Sequence, residues 1–128
     1  MSILEFRIAL TTEDFDKAVA FFRDGLGLEV GDLFEDGGKG QLFHAGKATL
    51  EVFDEGQAAG VDQLEVGQRV SGQIRFAFQV DDVKATLERA VNHGAKLVSE
   101  PVRTPWGDLN ARVESPDGLQ VTLYQVME

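Results

Sequence analysis

The sequence predicts an α+β fold in which two tandem strand–helix–strand–strand–strand (βαβββ) modules form a curved mixed sheet around a groove. Two stretches, RIALTTEDFDKA at residues 7–18 and RFAFQVDDVKA at residues 75–85, follow almost the same pattern. The elements predicted after each stretch also come in the same order, which indicates a duplicated unit. The helix of such a unit covers one face of its strands, so two units can turn their bare faces toward each other and enclose a groove.

The first module is predicted to begin with a strand. Residues 3–10 alternate apolar with other side chains, the pattern of a strand with one apolar face. Thr11 and Asp14 have the spacing of a capping box, and an apolar stripe follows them, so a helix is predicted to start here and to end at Gly25 and Gly27. Turn residues separate the strands predicted next, at 28–30, 41–44 and 47–54.

The second module repeats this order. Residues 74–80 form a strand with alternating side chains, and a helix is predicted from Asp81 to Gly94. Further strands are predicted at 96–99, 110–114 and 119–125. We therefore predict a single domain over residues 1–128, with module one at about 1–56, a polar, glycine-rich connector at about 57–72 and module two at about 73–128. Within the connector, a short structured piece is expected around 61–66.

The composition excludes some classes of partner. The chain has 22 acidic against 12 basic residues and a formal net charge of −10, so its surface repels nucleic-acid phosphates. No apolar run approaches the roughly 20 residues of a membrane span, and the first residues lack the features of a signal peptide. Cysteine is absent, which excludes disulfides and cysteine-based metal sites. We expect a cytoplasmic protein with neither nucleic-acid nor membrane partners.

Several stretches resemble one known superfamily. The chain is similar to the vicinal oxygen chelate proteins in three features. These are the paired units, the stretch DFDKAVAFFRDGLGLEV in the first module, and the stretch PWGDLNARVESPDGLQVTLYQ at the end of the second. That group includes glyoxalase I, extradiol dioxygenases, fosfomycin-resistance proteins and bleomycin-resistance proteins. The resemblance covers essentially the whole chain. It implies the paired βαβββ fold, a small-molecule ligand and assembly as a homodimer.

The resemblance also implies four side-chain positions on the concave face of the sheet. Enzymes of the superfamily hold a divalent metal there, with ligands from the first and last strand of each module; these positions fall on Arg7, Glu51, Arg75 and Thr122. Of these four, Glu51 is the one that could still bind a metal ion. A guanidinium is permanently charged and offers no lone pair. We therefore expect neither a metal nor another cofactor.

Two interpretations of the groove arginines remain open. In one, Arg7 and Arg75 form a clamp for a carboxylate, phosphate or enolate. In the other, Arg7 pairs with Glu51 and fills the former metal site. Arg75 faces Thr122 rather than a carboxylate, so it is the stronger candidate for a ligand contact. Glu51 is also a candidate general base, although a neighbouring cation would lower its pKa. Trp106, on a loop at the groove mouth, either stacks on a planar ligand or anchors the loop.

Three functions are compatible with these residues. The first is a metal-free protein that binds a small molecule in the groove and is similar in type to the bleomycin-resistance proteins; its ligand-binding residues would be Arg7, Glu51, Arg75, Thr122 and Trp106. The second is an enzyme, a glyoxalase-like lyase or isomerase or a dioxygenase, with an altered metal site around Glu51. The third is a scaffold in which the Arg7–Glu51 pair stiffens the sheet. The acidic surface suits a cationic ligand and the groove arginines suit an anion, which leaves the ligand class open.

Overall fold

Eight strands form one curved sheet in the computed structural model, which describes residues 2–127. The strands are β1 (Ile3–Thr11), β2 (Glu29–Phe34), β3 (Gly40–Ala45), β4 (Ala48–Phe53), β5 (Ile74–Val80), β6 (Lys96–Arg103), β7 (Asp108–Glu114) and β8 (Gln120–Val126). The helices are α1 (Phe15–Ala20), which continues as a π-helical segment over Phe21–Gly25, α2 (Glu55–Glu65) and α3 (Val83–Asn92).

The strand order, β2-β3-β4-β1-β5-β8-β7-β6, joins the two modules along β1 and β5. β1 runs parallel to β4, and β5 runs parallel to β8, whereas β1 and β5 are antiparallel. The same arrangement of strands thus occurs once on each side of the β1–β5 pair. This confirms the predicted α+β fold with paired βαβββ modules. The boundaries proposed for the modules within a single domain stay a prediction.

Helices α1 and α3 cover the convex face of the sheet. In the second module, Val83 and Leu87 of α3 pack with Val113 and Leu123 in one apolar cluster. In the first module, a corresponding cluster joins Val19 of α1 to two buried residues of β3 and β4. Each such side chain contributes about 1.5–3 kcal/mol when fully buried rather than exposed. The polar residues of the strands are therefore on the opposite, concave face.

Helix α1 begins after Asp14, so the predicted capping box starting at Thr11 is wrong. β1 continues through Thr11, whose N–H donates to the Gln73 carbonyl at 2.8 Å. Asp14 caps the helix alone by accepting a hydrogen bond from the Lys17 N–H at 3.1 Å. This contact satisfies one of the N–H groups that a helix start leaves unpaired.

Helix α2 occupies most of the segment that the sequence predicts to be an irregular connector. The expected short structured piece around 61–66 is present, but it is the end of a longer helix, because Glu55–Glu65 forms three helical turns capped by Asp54. Its sequence, EGQAAGVDQLE, contains two glycines and no regular apolar stripe, which hides the helix. No helix within residues 2–127 is long and apolar enough to span a membrane.

The position of α2 matters more for the site than its length. Ala58 and Val61 of the helix form one apolar cluster with Ala9 and Phe53 on the concave face of the sheet. Asp62 and Glu65, one turn further on, are also buried. The helix therefore closes part of the groove and forms one of its walls.

Candidate functional site

A cavity of about 420 Å³ lies between the concave face of the sheet and α2. Buried side chains form its interior: Leu42, Phe53, Val61, Glu65, Arg75, Ala77, Asn110, Thr122 and Tyr124. Exposed residues form its mouth: Asp32, Asp36, Gly60, Leu64, Pro105 and Trp106. Small-molecule sites typically measure roughly 300–1,000 Å³. The structure brings all five residues predicted to bind a ligand to this cavity: Arg7, Glu51, Arg75, Thr122 and Trp106.

The strand register explains why the cavity is deepest at the middle of its floor. Ala77 of β5 lies directly between Arg7 of β1 and Thr122 of β8, so these three side chains share one face of the sheet. Arg75 lies two residues earlier on the same face of β5. Because the alanine side chain is short, it leaves space between longer neighbours at the middle of the floor.

Arg75 is held at the interior end of the cavity and is 6% exposed. Its Nη1 donates to the Thr122 hydroxyl at 2.8 Å, a contact that the duplicated pattern made expected. Within residues 2–127, no carboxylate forms an ion pair with Arg75, and the other N–H groups of its guanidinium have no hydrogen-bond partner. Arg75 therefore keeps hydrogen-bond donors free beside the cavity.

Arg7 has a different main partner from the one predicted. Its Nε donates to Glu5 Oε1 at 2.7 Å, whereas its Nη1 lies 3.8 Å from Glu51 Oε2. Glu5 also accepts a hydrogen bond from the Tyr124 hydroxyl and one from Thr49 Oγ1. Burial alone would raise the pKa of Glu5, but the hydrogen bonds from Tyr124 and Arg7 outweigh it and lower that pKa. The predicted Arg7–Glu51 pair is thus the longer of two contacts, and Glu5 neutralises Arg7.

Glu51 is a half-buried carboxylate without a hydrogen bond from any residue in the range 2–127. Its direct neighbour on β1 is Ala9, which packs under α2, and its side chain is 12% exposed. Burial raises the pKa of Glu51, and the opposing effects of Arg75 and Arg7 do not cancel this rise. Arg7 lowers the pKa of Glu51 as expected, but burial raises this pKa by more, so the net shift is upward.

The structure contains a buried polar cluster that sequence reasoning missed, centred on Arg112 of β7. The Arg112 side chain is 0% exposed, and its guanidinium forms ion pairs with Asp62 Oδ1 at 2.9 Å and with Glu65 Oε1 at 2.9 Å. Both carboxylates come from α2. Thr122 donates its hydroxyl proton to Glu65 at 2.9 Å while accepting from Arg75. Arg75, Thr122, Glu65 and Arg112 therefore form one continuous hydrogen-bonded chain from the cavity to the helix.

The mouth of the cavity combines an aromatic side chain with acidic groups. Trp106 is 53% exposed, and its Nε1 donates to Asp108 Oδ2 at 3.1 Å. Burial raises the pKa of Asp108, although the hydrogen bond from Trp106 opposes the rise. Asp32 and Asp36 lie on the same rim. The exposure of Trp106 agrees with its predicted place at the groove mouth.

The side chains present do not fit a divalent metal. Among residues 2–127, no group of three histidine, cysteine or carboxylate side chains is close enough to share an ion. Around Glu51 the nearest charged groups are the guanidiniums of Arg7 and Arg75, which repel a cation and cannot coordinate it. Of the four positions where the resemblance implies metal ligands, Glu51 alone keeps a carboxylate, which is too few to hold a divalent ion.

Comparison with known proteins agrees with this architecture. The fold and cavity define a protein of the paired βαβββ class with a small-molecule-sized site between its modules. The family model described as Glyoxalase/Bleomycin resistance protein/Dioxygenase superfamily matches residues 6–123. The chain belongs to this superfamily, as its motifs predicted.

Two curated proteins illustrate how far sequence similarity extends. The uncharacterized protein YraH of Bacillus subtilis is 26% identical over 131 residues, which cover 99% of this chain and 100% of YraH. The anthracycline biosynthesis protein DauV of Streptomyces sp. is 29% identical over 94% of this chain. The chain spans 41% of the length of DauV, so the match concerns part of that protein.

Solved structures with the same fold have lower identity. A hypothetical protein from Bacillus halodurans superposes with a TM-score of 0.71 at 18% identity, covering 98% of this chain and 94% of that one. Streptomyces coelicolor methylmalonyl-CoA epimerase, solved with 2-nitronate-propionyl-CoA, has a TM-score of 0.69 at 21% identity and covers 99% and 100% of the two chains. These similarities establish the shared fold.

Proposed function

We propose that this protein binds a small organic molecule in the cavity between its two modules and does so without a divalent metal. The single observation that carries the proposal is the pair Arg7 and Arg75. Both occupy positions where the resemblance places metal ligands, and both line the cavity together with Glu51. The three residues lie on neighbouring strands, in the order Glu51 on β4, Arg7 on β1 and Arg75 on β5. Their positive charges lie where a metal ion's charge would otherwise lie, and they partly offset the cost of burying Glu51.

The rest of the cavity supports a ligand with an apolar body. Phe34, Phe53 and Trp106 line it together with Leu42 and Leu64, whereas hydrogen-bonding groups are concentrated at its inner end. Ligand sites generally combine such an apolar lining with few polar groups that fix orientation. A planar compound of two to four fused rings fits a site of this kind.

A thermal-shift panel tests the proposal. The panel contains naphthalene derivatives with different head groups, an anthracycline, bleomycin and inorganic phosphate as a simple anion. A ligand that binds the folded state raises Tm by mass action; at a hundredfold excess over its Kd the stabilisation is about 2.7 kcal/mol. Ala77→Leu, which fills the middle of the cavity floor, is the matched control and should abolish the rise. If no compound changes Tm in the unaltered chain, the proposal is wrong.

Metal content provides an independent test. Protein purified without chelators should contain divalent metal far below one ion per chain when measured by elemental analysis. One tightly held ion per chain that is lost in Glu51→Gln would instead support an enzyme with an altered metal site around Glu51. We also propose a homodimer located in the cytoplasm, and sedimentation velocity will show whether two copies associate.

A second candidate function is a metal-free acid–base enzyme, and the state of Glu51 favours it. A carboxylate with a raised pKa and no hydrogen bond is suited to abstract a proton from carbon, while Arg75 would stabilise the resulting enolate oxygen. The measurement is deuterium incorporation from heavy water into 2-tetralone, an apolar ketone of suitable size. Exchange that is catalysed by the unaltered chain and lost in Glu51→Gln would support catalysis; equal rates with both proteins would exclude it.

A further inference from the structure

We propose that the inner end of the cavity recognises an uncharged head group that carries a hydrogen-bond donor beside an acceptor, such as a primary carboxamide, on an aromatic body. In this arrangement the N–H of the head donates to Glu51 and its carbonyl oxygen accepts from Arg75. The inference rests on the proposed function and names the chemical class of ligand for the same site.

The first argument is the unused hydrogen-bonding capacity at this end of the cavity. Glu51 presents two acceptor oxygens, and Arg75 presents guanidinium N–H donors beyond the one bound to Thr122. Both residues line the cavity, yet they do not form an ion pair with each other. A buried donor or acceptor without a partner destabilises the free protein. A molecule that satisfies both groups recovers much of this cost on binding.

The strand register explains why the two side chains do not satisfy each other. Ala9 on β1 is the direct neighbour of Glu51 on β4 and also of Arg75 on β5. Two strand spacings therefore separate the backbones of Glu51 and Arg75, roughly 10 Å in total. Ala9 belongs to the apolar cluster that includes Val61 of α2, so apolar side chains lie beside both charged groups. A bridging ligand head can reach both.

The charged side chains that line the cavity argue against an anionic head group on the ligand. Five carboxylates line the cavity, at Asp32, Asp36, Glu51, Glu65 and Asp108, against the two guanidiniums of Arg7 and Arg75. Glu5 already neutralises Arg7. A ligand carboxylate bound to Arg75 would therefore take up that positive charge and leave the carboxylate of Glu51 without a cation of its own. Repulsion between close like charges is strong in a weakly solvated site. The anion clamp considered from sequence is less compatible with this surrounding.

Two further unsatisfied acceptors line the same cavity. Among residues 2–127, the side-chain oxygens Gln57 Oε1 and Asn110 Oδ1 are buried without a hydrogen-bond partner, and both side chains line the cavity. Together with Glu51 they call for N–H or O–H groups on the ligand. An amidinium head would supply such donors but would place its charge against Arg75, whereas a carboxamide supplies donors and one acceptor without net charge.

The experiment compares three probes with the same ring system: 2-naphthamide, 2-naphthoate and 2-naphthamidine. Their dissociation constants are measured at pH 7 by titration of the ¹⁵N-labelled chain followed by ¹H–¹⁵N NMR. We expect 2-naphthamide to bind at least about tenfold more tightly than either charged probe, the factor expected when a hydrogen bond to a charged group is lost. Binding of 2-naphthoate or 2-naphthamidine with equal or higher affinity would overturn the inference.

Two variants identify the groups responsible. Glu51→Gln keeps an acceptor, adds a donor and removes the charge, so discrimination against 2-naphthoate should fall to about threefold or less. Arg75→Met should remove the preference for the amide, and Arg75→Lys provides a second variant in case the first does not fold; NMR dispersion reports folding in each. Unchanged selectivity in a folded Glu51→Gln chain would contradict the assigned role.

The outcomes separate this inference from the function on which it rests. If the anthracycline, bleomycin or phosphate raises Tm but none of the three naphthyl probes binds, the head-group inference is wrong and the proposed function stands. If no compound in either experiment binds, the proposed function is wrong as well. Ala77→Leu should weaken every probe alike, because it removes space rather than a hydrogen bond.

Discussion

Removal of the Arg112 charge is expected to destabilise the fold strongly. Arg112→Met keeps most of the side-chain volume but leaves Asp62 and Glu65 without the guanidinium that lies 2.9 Å from each. The two carboxylate side chains are 1% and 3% exposed. A buried charge that loses its partner cannot be solvated by water in compensation, and such losses cost about 3–5 kcal/mol.

The remaining contacts indicate which carboxylate determines the size of the loss. Asp62 keeps a second cation, Arg69 at 3.1 Å, and hydrogen bonds from the N–H groups of Val70 and Ser71 at 2.8 and 2.7 Å. Glu65 keeps only neutral donors among the described residues, from Thr122 and Asn110. The cost is therefore expected mainly at Glu65, which places the total near the lower end of the range, at about 3 kcal/mol.

Urea denaturation of both chains measures this difference directly. For a domain of this size, 1 kcal/mol corresponds to about 4 °C in Tm, so Arg112→Met should melt about 12 °C lower. The double variant Arg112→Met/Glu65→Gln should regain at least about 1 kcal/mol, because it removes the unpaired charge. A loss below about 1 kcal/mol in the single variant, or no recovery in the double variant, would refute the reasoning.

Three further predictions concern individual side chains. Burial would raise the pKa of Asp62, but hydrogen bonds and the charge of Arg112 lower it from 3.8 to about 2. The stabilisation of the fold by ionised Asp62 is therefore complete above pH 3.8 and is lost as the pH falls toward 2. Asp62→Asn should flatten this part of an acid-denaturation curve, and an unchanged curve would contradict the assignment. Burial raises the pKa of Glu51, so ionisation of Glu51 opposes folding at neutral pH. The variant Glu51→Gln should therefore have a higher Tm than the unaltered chain at pH 7 but not below about pH 4.5. A lower Tm of the variant at pH 7 would show that the charge of Glu51 stabilises the fold. Trp106→Ala should weaken 2-naphthamide binding by about threefold to tenfold through lost stacking. The Tm of this variant should be almost unchanged, because the ring is exposed. Equal affinity of the variant and the unaltered chain for 2-naphthamide would place the ligand away from the mouth of the cavity.

The duplicated pattern made the sheet and the cavity floor predictable. Alternation of apolar and polar residues fixes the face of every strand side chain, since the period is two. Arg7 and Arg75 therefore had to lie on one face, and the parallel pairing of β5 with β8 brings Thr122 beside Arg75. These contacts depend on strand order and register, which a repeat in the sequence reveals.

Helix α2 and the Arg112 cluster were not predictable by the same route. Alternation along β7 does place Arg112 on the concave face, the signal that singled out the other two arginines. Its partners, however, lie one helical turn apart at Asp62 and Glu65, and this spacing has meaning only once α2 is known to be a helix. The stability of α2 comes from contacts with the sheet rather than from its own sequence, so a local pattern does not reveal it.

The same limit applies to the partner of Arg7. From sequence, Arg7 was expected to contact either a ligand or Glu51, because the resemblance places both residues on the concave face. Glu5, however, lies on the same face two residues before Arg7 on β1, and Tyr124 and Thr49 orient its carboxylate. Competition between two carboxylates for one guanidinium depends on side-chain geometry over distances shorter than a strand spacing. Spacing along the sequence does not resolve such a choice.

The hydrogen bonds of two buried carboxylates distinguish a structural role from a ligand-binding role. Asp62 accepts hydrogen bonds from Arg69, Arg112, Ser71 and Val70, and its pKa is lowered. Glu51 accepts no hydrogen bond from the described residues, and its pKa is raised. An ionised group in the second state destabilises the fold, because the charges of Arg7 and Arg75 offset the cost of its burial only in part. Asp62 therefore holds α2 on the sheet, whereas Glu51 is best explained by a partner that arrives with the ligand.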